Sequence, residues 1–202
     1  MRLAEERYGS ILEQLRCHEI PEAYPTTDHS PSLYGEQSLD EGSLMIRDEA
    51  IRMCGYCWLA NSWIRPLAQW IGYRRCLEIM CGSGALSYAL LACGVQLIAT
   101  DNFSWRENAG CWYEHPWTDI QQMDCLEAIR EYGSRTDFHA LLEMRKANPA
   151  AQMLYIGEPV GGATALKALF KVAELVENED FQATLQGFRS AHMLKDRPML
   201  FR

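Results

Sequence analysis

Residues 76–84, Cys76-Leu77-Glu78-Ile79-Met80-Cys81-Gly82-Ser83-Gly84, carry a short apolar run into a turn with two glycines. An apolar run of this length bounded by turn residues reads as a buried strand. Ala85 to Cys93 then has helix composition, and Gly94 stands where a helix C-terminus favours glycine. The glycines between strand and helix accept positive φ and let backbone approach a ligand that a Cβ would block. Val95-Gln96-Leu97-Ile98-Ala99-Thr100 reads as a second buried strand, ending at Asp101.

Outward from this unit the alternation continues. A short strand is expected near Ile120 to Met123 and a helix from Leu126 to Tyr132. Strands follow at Phe138 to Leu142 and Gln152 to Ile156, then a helix from Ala163 to Glu177 opened by Gly161-Gly162. Gln182 to Ala191 and Arg197 to Arg202 read as a closing hairpin. Strands alternating with helices predict a mostly parallel sheet covered on both faces. Ligands of such sheets bind at the carboxyl ends of the strands.

Toward the N-terminus, residues 1–19 show helical spacing of Tyr8, Ile11, Leu12 and Leu15. Residues 20–42 are rich in turn formers, with Pro21, Pro25, Pro31, Gly35 and Gly42, and read as a long loop. A second helical region is expected from Ser43 to Ile71, broken or kinked at Pro66 and stopped by Gly72. Its Trp58, Trp63 and Trp70 read as packing residues. The division expected is an N-terminal helical extension and loop, 1–74, and an α/β domain, 75–202.

The 202 residues are 48% hydrophobic and 23% charged, enough apolar material for a sizeable core. No apolar run reaches the ~18 residues of a membrane-spanning helix, and the N-terminus has no apolar leader, so a cytoplasmic protein is expected. The net charge of −8, with four lysines, makes nucleic acid a poor partner. Eight cysteines in such a chain read as reduced and mostly buried. Cys54-Gly55-Tyr56-Cys57 has neither the strand before it that a redox motif needs nor a second pair for zinc, so it reads as two cysteines on a helix and no metal is expected.

Three acidic positions fall in order around the glycine turn: Glu78 before it, Asp101 at the end of the second strand, and Asp124 after the third. A carboxylate at the second position can accept both ribose hydroxyls, and one at the third can accept from an adenine amino group. In this order the chain resembles the class I S-adenosylmethionine-dependent methyltransferases over residues 75–202. The resemblance implies a Rossmann-like, mostly parallel seven-stranded sheet with helices on both faces, and S-adenosylmethionine as cofactor. It implies that Glu78 lies near the methionine moiety and that Met80, Cys81, Gly82 and Gly84 form the cofactor turn. Asp101 would hold the ribose, and Asn102, Asp124 and Cys125 would border the adenine.

Two departures bear on chemistry. Met80 stands where the family usually has glycine, and the Asn-Pro-Pro-aromatic or Asp-Pro-Pro-aromatic motif of the amino-group methyltransferases is missing. Leu142-Glu143-Met144-Arg145 and Asn148-Pro149-Ala150-Ala151 stand nearby instead. Methyl transfer is chiefly a positioning problem, needing a base only when the nucleophile starts protonated. Glu143 and Glu158 are the candidate catalytic carboxylates, with His115 and His139 as alternative bases. The acceptor is expected to be a small molecule or a protein, bound near residues 20–42 and 103–117. Competing readings are a non-catalytic binding protein of this fold and a nicotinamide-dependent oxidoreductase. The latter would want glycine or alanine at Ser87 and leaves Asp124 without a role.

Overall fold

Neighbouring side chains of the first strand enter different cores. Cys76 joins a cluster with Ile64, Leu90 and Val95, while Leu77 and Ile79 pack with Ala128 and Ile129. The strand is therefore buried on both faces, which is why its sequence is a nearly continuous apolar run.

The computed structural model describes residues 2–24, 49–55, 57–107, 115–133, 148, 150–157, 174–188 and 197–202. Helix α1 (Arg2–Arg16) precedes a helical stretch over 49–54 and α2 (Asn61–Ile71). Strand β1 (Arg75–Ile79), helix α3 (Ala85–Ala92) and strand β2 (Gln96–Asp101) follow, then a 3-10 turn (Ser104–Glu107), β3 (Gln121–Gln122) and α4 (Cys125–Tyr132). Strand β4 (Met153–Gly157), helix α5 (Glu179–Thr184) and strand β5 (Arg197–Phe201) complete the set. No helix among the described residues is long and apolar enough to cross a membrane.

Strands β1, β2 and β3 form a parallel sheet in that order, with Ile79 opposite Thr100 and Asp101 opposite Gln122. Strands β4 and β5 form a separate antiparallel pair, and Phe201 also bridges Leu175 on its other side. The protein is a mixed α/β fold. Among the described residues there is no single seven-stranded sheet; the predicted strand Phe138–Leu142 lies outside them.

The extension and the α/β part share one core. Ile11 and Leu15 of α1 join Trp63, Ile64 and Leu67 of α2, Leu90 of α3 and Phe181 of α5 in a single cluster. Trp63 is fully buried and donates its Nε1–H to the Trp58 carbonyl at 3.1 Å, and Trp70 packs on Phe181 at 5.0 Å. The tryptophans are packing residues, as expected from their area.

Four boundaries differ from expectation. The region up to Ile71 is not one helix: it stops near Gly55, at φ 97, and restarts at Asn61. Pro66 instead sits inside α2, where its missing N–H leaves the Ser62 carbonyl without its helical donor. Gly187 takes the space beside that carbonyl, where a Cβ would come within 2.7 Å. The break also takes Cys57 off the helix, so of the two only Cys54 is helical, and neither forms a disulfide.

Gln182–Thr184, expected to begin a strand, instead end helix α5, which the Asn178 side chain caps by accepting from Phe181 N at 2.8 Å. The closing hairpin is thus replaced by β5 pairing with β4. Residues 174–177, expected as the end of a helix, are not helical: Glu174 exchanges backbone bonds with Arg202, and Val176 N–H donates to the Leu200 carbonyl. Its part over 163–173 lies outside the described residues.

Candidate functional site

The glycine turn leaves the sheet at the carboxyl end of β1. Three of its residues are left-handed: Met80 at φ 54, Gly82 at φ 59 and Gly84 at φ 73. Met80 is 72% exposed, and its backbone is one that glycine would adopt without strain. Cys81 N–H donates to the Thr100 carbonyl at 3.1 Å, so the turn is stitched to β2 before the helix begins. Gly84 then opens α3, with its N–H on the Cys81 carbonyl at 2.9 Å and its own carbonyl accepting from Tyr88 N at 2.8 Å.

Ser83 fixes the underside. Buried to 1% exposure, it donates its hydroxyl to the Cys54 carbonyl at 3.0 Å, and its carbonyl accepts from Trp117 N at 2.9 Å. Trp117 in turn donates Nε1–H to the Met53 carbonyl at 2.7 Å and stacks on His18 at 4.5 Å. The N-terminal extension is thereby joined to the glycine turn. Sequence reasoning missed this link, whose partners are distant along the chain and carry no motif.

Asp101 closes the top of the turn. Its Oδ2 accepts from Gly82 N at 2.8 Å, and its Oδ1 accepts from Phe103 N at 2.7 Å and Trp105 Nε1 at 3.1 Å. Asp101 is 4% exposed, so the acid placed by sequence at the end of β2 is nearly removed from solvent, with an indole N–H among its donors. Asn102 is exposed and accepts from Ser104 N at 2.9 Å.

Glu78, half-buried in β1, accepts a hydrogen bond from the Ser87 hydroxyl. Burial pushes its carboxyl up to about 7, against the opposing effect of the Ser87 bonds and with further help from the Asp101 charge. The Cys81 thiol is likewise raised, by burial first and then by Glu78 and Asp101. These groups therefore share one electrostatic neighbourhood. Burial also pushes the Cys54 thiol up to about 12, which leaves it unreactive as a redox nucleophile.

The raised Glu78 has a consequence for stability. An acid that holds its proton more tightly when folded favours folding below its ordinary range. That contribution fades as pH rises through the folded value. Stability is therefore expected to decline between about pH 4.5 and 7, by on the order of 3 kcal/mol. Urea midpoints across this window should flatten in Glu78→Gln, whose amide oxygen still accepts from Ser87. An equal decline in both proteins would remove Glu78 as its source.

Asp124 lies at the same carboxyl edge, two residues beyond the Gln122 that pairs with Asp101. It is the N-cap of α4, its Oδ1 accepting from Leu126 N at 2.8 Å and Glu127 N at 2.9 Å. Cys125 is the first residue of that helix and half-buried. Strand order thus brings Glu78, the glycine turn, Asp101 and Asp124 to one edge. His115 is exposed, while Glu143, Glu158 and His139 lie outside the described residues. A cleft of about 650 Å³ between β5 and residues 175–186 shares no residue with this edge. No family model, curated protein or solved structure matches the chain.

Proposed function

We propose that the protein is an S-adenosylmethionine-dependent methyltransferase acting on a small-molecule or protein acceptor. The supporting observation is the left-handed turn at the carboxyl end of β1, met by the acid that ends the neighbouring parallel strand. A single seven-stranded sheet, closed by the antiparallel β5, belongs to this proposal.

The donor set suits the cofactor's parts. Asp101 would accept from the ribose, once a ligand hydroxyl takes the place of an internal donor. Asp124 uses only Oδ1 for its cap, which leaves Oδ2 to accept from an adenine amino group. The exposed Met80 and the backbone of Cys81, Gly82 and Gly84 would face the methionine portion, with Glu78 behind them. When bound, the sulfonium supplies an already activated methyl group. The chain's task is to hold the acceptor in line with it and to exclude water. Glu143 and Glu158 remain the candidate bases.

A second reading has its own support. The Asp101 carboxylate takes three internal donors and is nearly buried, as it would be in a protein of this fold that binds no cofactor. Calorimetric titration of the full chain with S-adenosylmethionine, S-adenosylhomocysteine and NADH separates the readings. Micromolar one-to-one binding of the first two is the expected result. Binding of NADH alone would indicate an oxidoreductase. No binding, either by the wild type or by a cooperatively melting variant that lacks the Trp105 donor to Asp101, would overturn the cofactor reading in favour of the non-catalytic one.

A further inference from the structure

At the end of β2 the chain supplies its own occupant for the ribose acceptor. Trp105 Nε1–H donates to Asp101 Oδ1 at 3.1 Å, on the oxygen that also holds Phe103 N. The indole belongs to an aromatic and cationic stack: Phe103 meets Trp105 edge-on at 6.0 Å, and the Arg106 guanidinium lies 3.9 Å from the Phe103 ring and 5.2 Å from that of Trp105. Phe103 holds this arrangement at φ 58, a left-handed backbone that bulky residues rarely adopt. Trp105 is only half-buried, whereas the carboxylate beneath it is 4% exposed.

We propose that Trp105 is an internal competitor for the cofactor: its indole N–H stands where a ribose hydroxyl would donate, and binding requires this segment to swing off Asp101. The inference rests on the methyltransferase reading of the same site. The indole bond costs a ligand affinity because only the fraction of molecules with Asp101 uncovered can bind. Arg106 holds the segment down by stacking on both rings, and its side chain is exposed, so it can be changed without disturbing the core. After displacement, the same two rings provide a π surface beside the uncovered carboxylate, suited to a ligand that carries a nucleobase next to a ribose.

The test is titration of S-adenosylhomocysteine into the full-length protein and into Trp105→Phe and Arg106→Gln. Trp105→Phe keeps a ring but has no N–H, and should tighten binding about tenfold. Arg106→Gln only loosens the stack and should tighten it about threefold. In ¹⁵N spectra of the wild type, the indole resonance missing from Trp105→Phe should shift on saturation with ligand. Binding by the variants alone would support both this inference and the cofactor reading. Wild-type binding with an unchanged or weaker Trp105→Phe, or an unmoved indole resonance at saturation, would overturn the inference and leave the cofactor reading standing. Binding by none of the three folded proteins would overturn both.

Discussion

Asp101→Ala is expected to lower the free energy of unfolding by about 3–5 kcal/mol, whatever it does to ligand binding. One carboxylate satisfies three donors, from Gly82, Phe103 and Trp105, and it is almost wholly removed from solvent. Alanine offers no acceptor, and each buried donor left without one costs about 1–3 kcal/mol, the lower end applying where water can enter. Asp101→Asn should cost less. Its carbonyl oxygen can keep the Phe103 and Trp105 bonds, while its amide nitrogen then faces the Gly82 N–H, donor against donor. Urea unfolding followed by far-UV circular dichroism measures both. A loss under about 1 kcal/mol for Asp101→Ala would mean that the carboxylate does not hold the turn. The stability effect also sets how ligand data are read: lost binding in Asp101→Ala can report a collapsed turn as easily as a missing ribose acceptor, which makes Trp105→Phe the cleaner probe.

Sequence shows the parts of this site that are local and hides those that are not. The unit from β1 through β2 was legible because an apolar run, a glycine turn and a helix with Gly94 behind it are each set by neighbouring residues. The boundary acids were legible as strand ends. Their bonding was not, since Gly82, nineteen residues before Asp101, becomes its partner only when β1 and β2 pair in parallel. The contact of Ser83 with Cys54 and the stacking of His18 on Trp117 are likewise products of the shared core.

Local signals also competed. Phe181, Ala183 and Leu185 alternate as in a strand, yet Asn178 followed by Glu179 and Asp180 is a helix start. The helix prevails because it places Phe181, fully buried, against Trp70. Pro66 misled in the opposite direction. It reads as a residue that ends or kinks a helix, but the helix runs on through it, with Gly187 close beside the Ser62 carbonyl that lacks its usual helical donor.

Gly84→Ala should destabilise the protein by about 3–4 kcal/mol, and Gly94→Ala by only about 1–2, although both glycines are left-handed. The backbone term is shared: Gly84 has φ +73 and Gly94 has φ +85, each unfavourable for a residue with a Cβ. The surroundings differ. A Cβ on Gly94 meets nothing within 4 Å, whereas one on Gly84 would lie 3.0 Å from Ile120 Cδ1 and 3.1 Å from Thr118 Cγ2. Those side chains belong to the segment that begins at Trp117, itself pinned to the Ser83 carbonyl and the Met53 carbonyl. Both are half-buried on a segment anchored at Trp117, so the added methyl must strain the turn or push these side chains outward. The pair of variants thus separates left-handed strain from crowding in one unfolding experiment, and equal losses would show that the Thr118–Ile120 contact yields freely. The same pair tests the functional reading, because only Gly84 belongs to the proposed cofactor turn: S-adenosylhomocysteine affinity should fall at least tenfold in Gly84→Ala and stay within about twofold in Gly94→Ala. If both variants bound as the wild type does, the ligand would have to sit elsewhere than on the turn between β1 and α3.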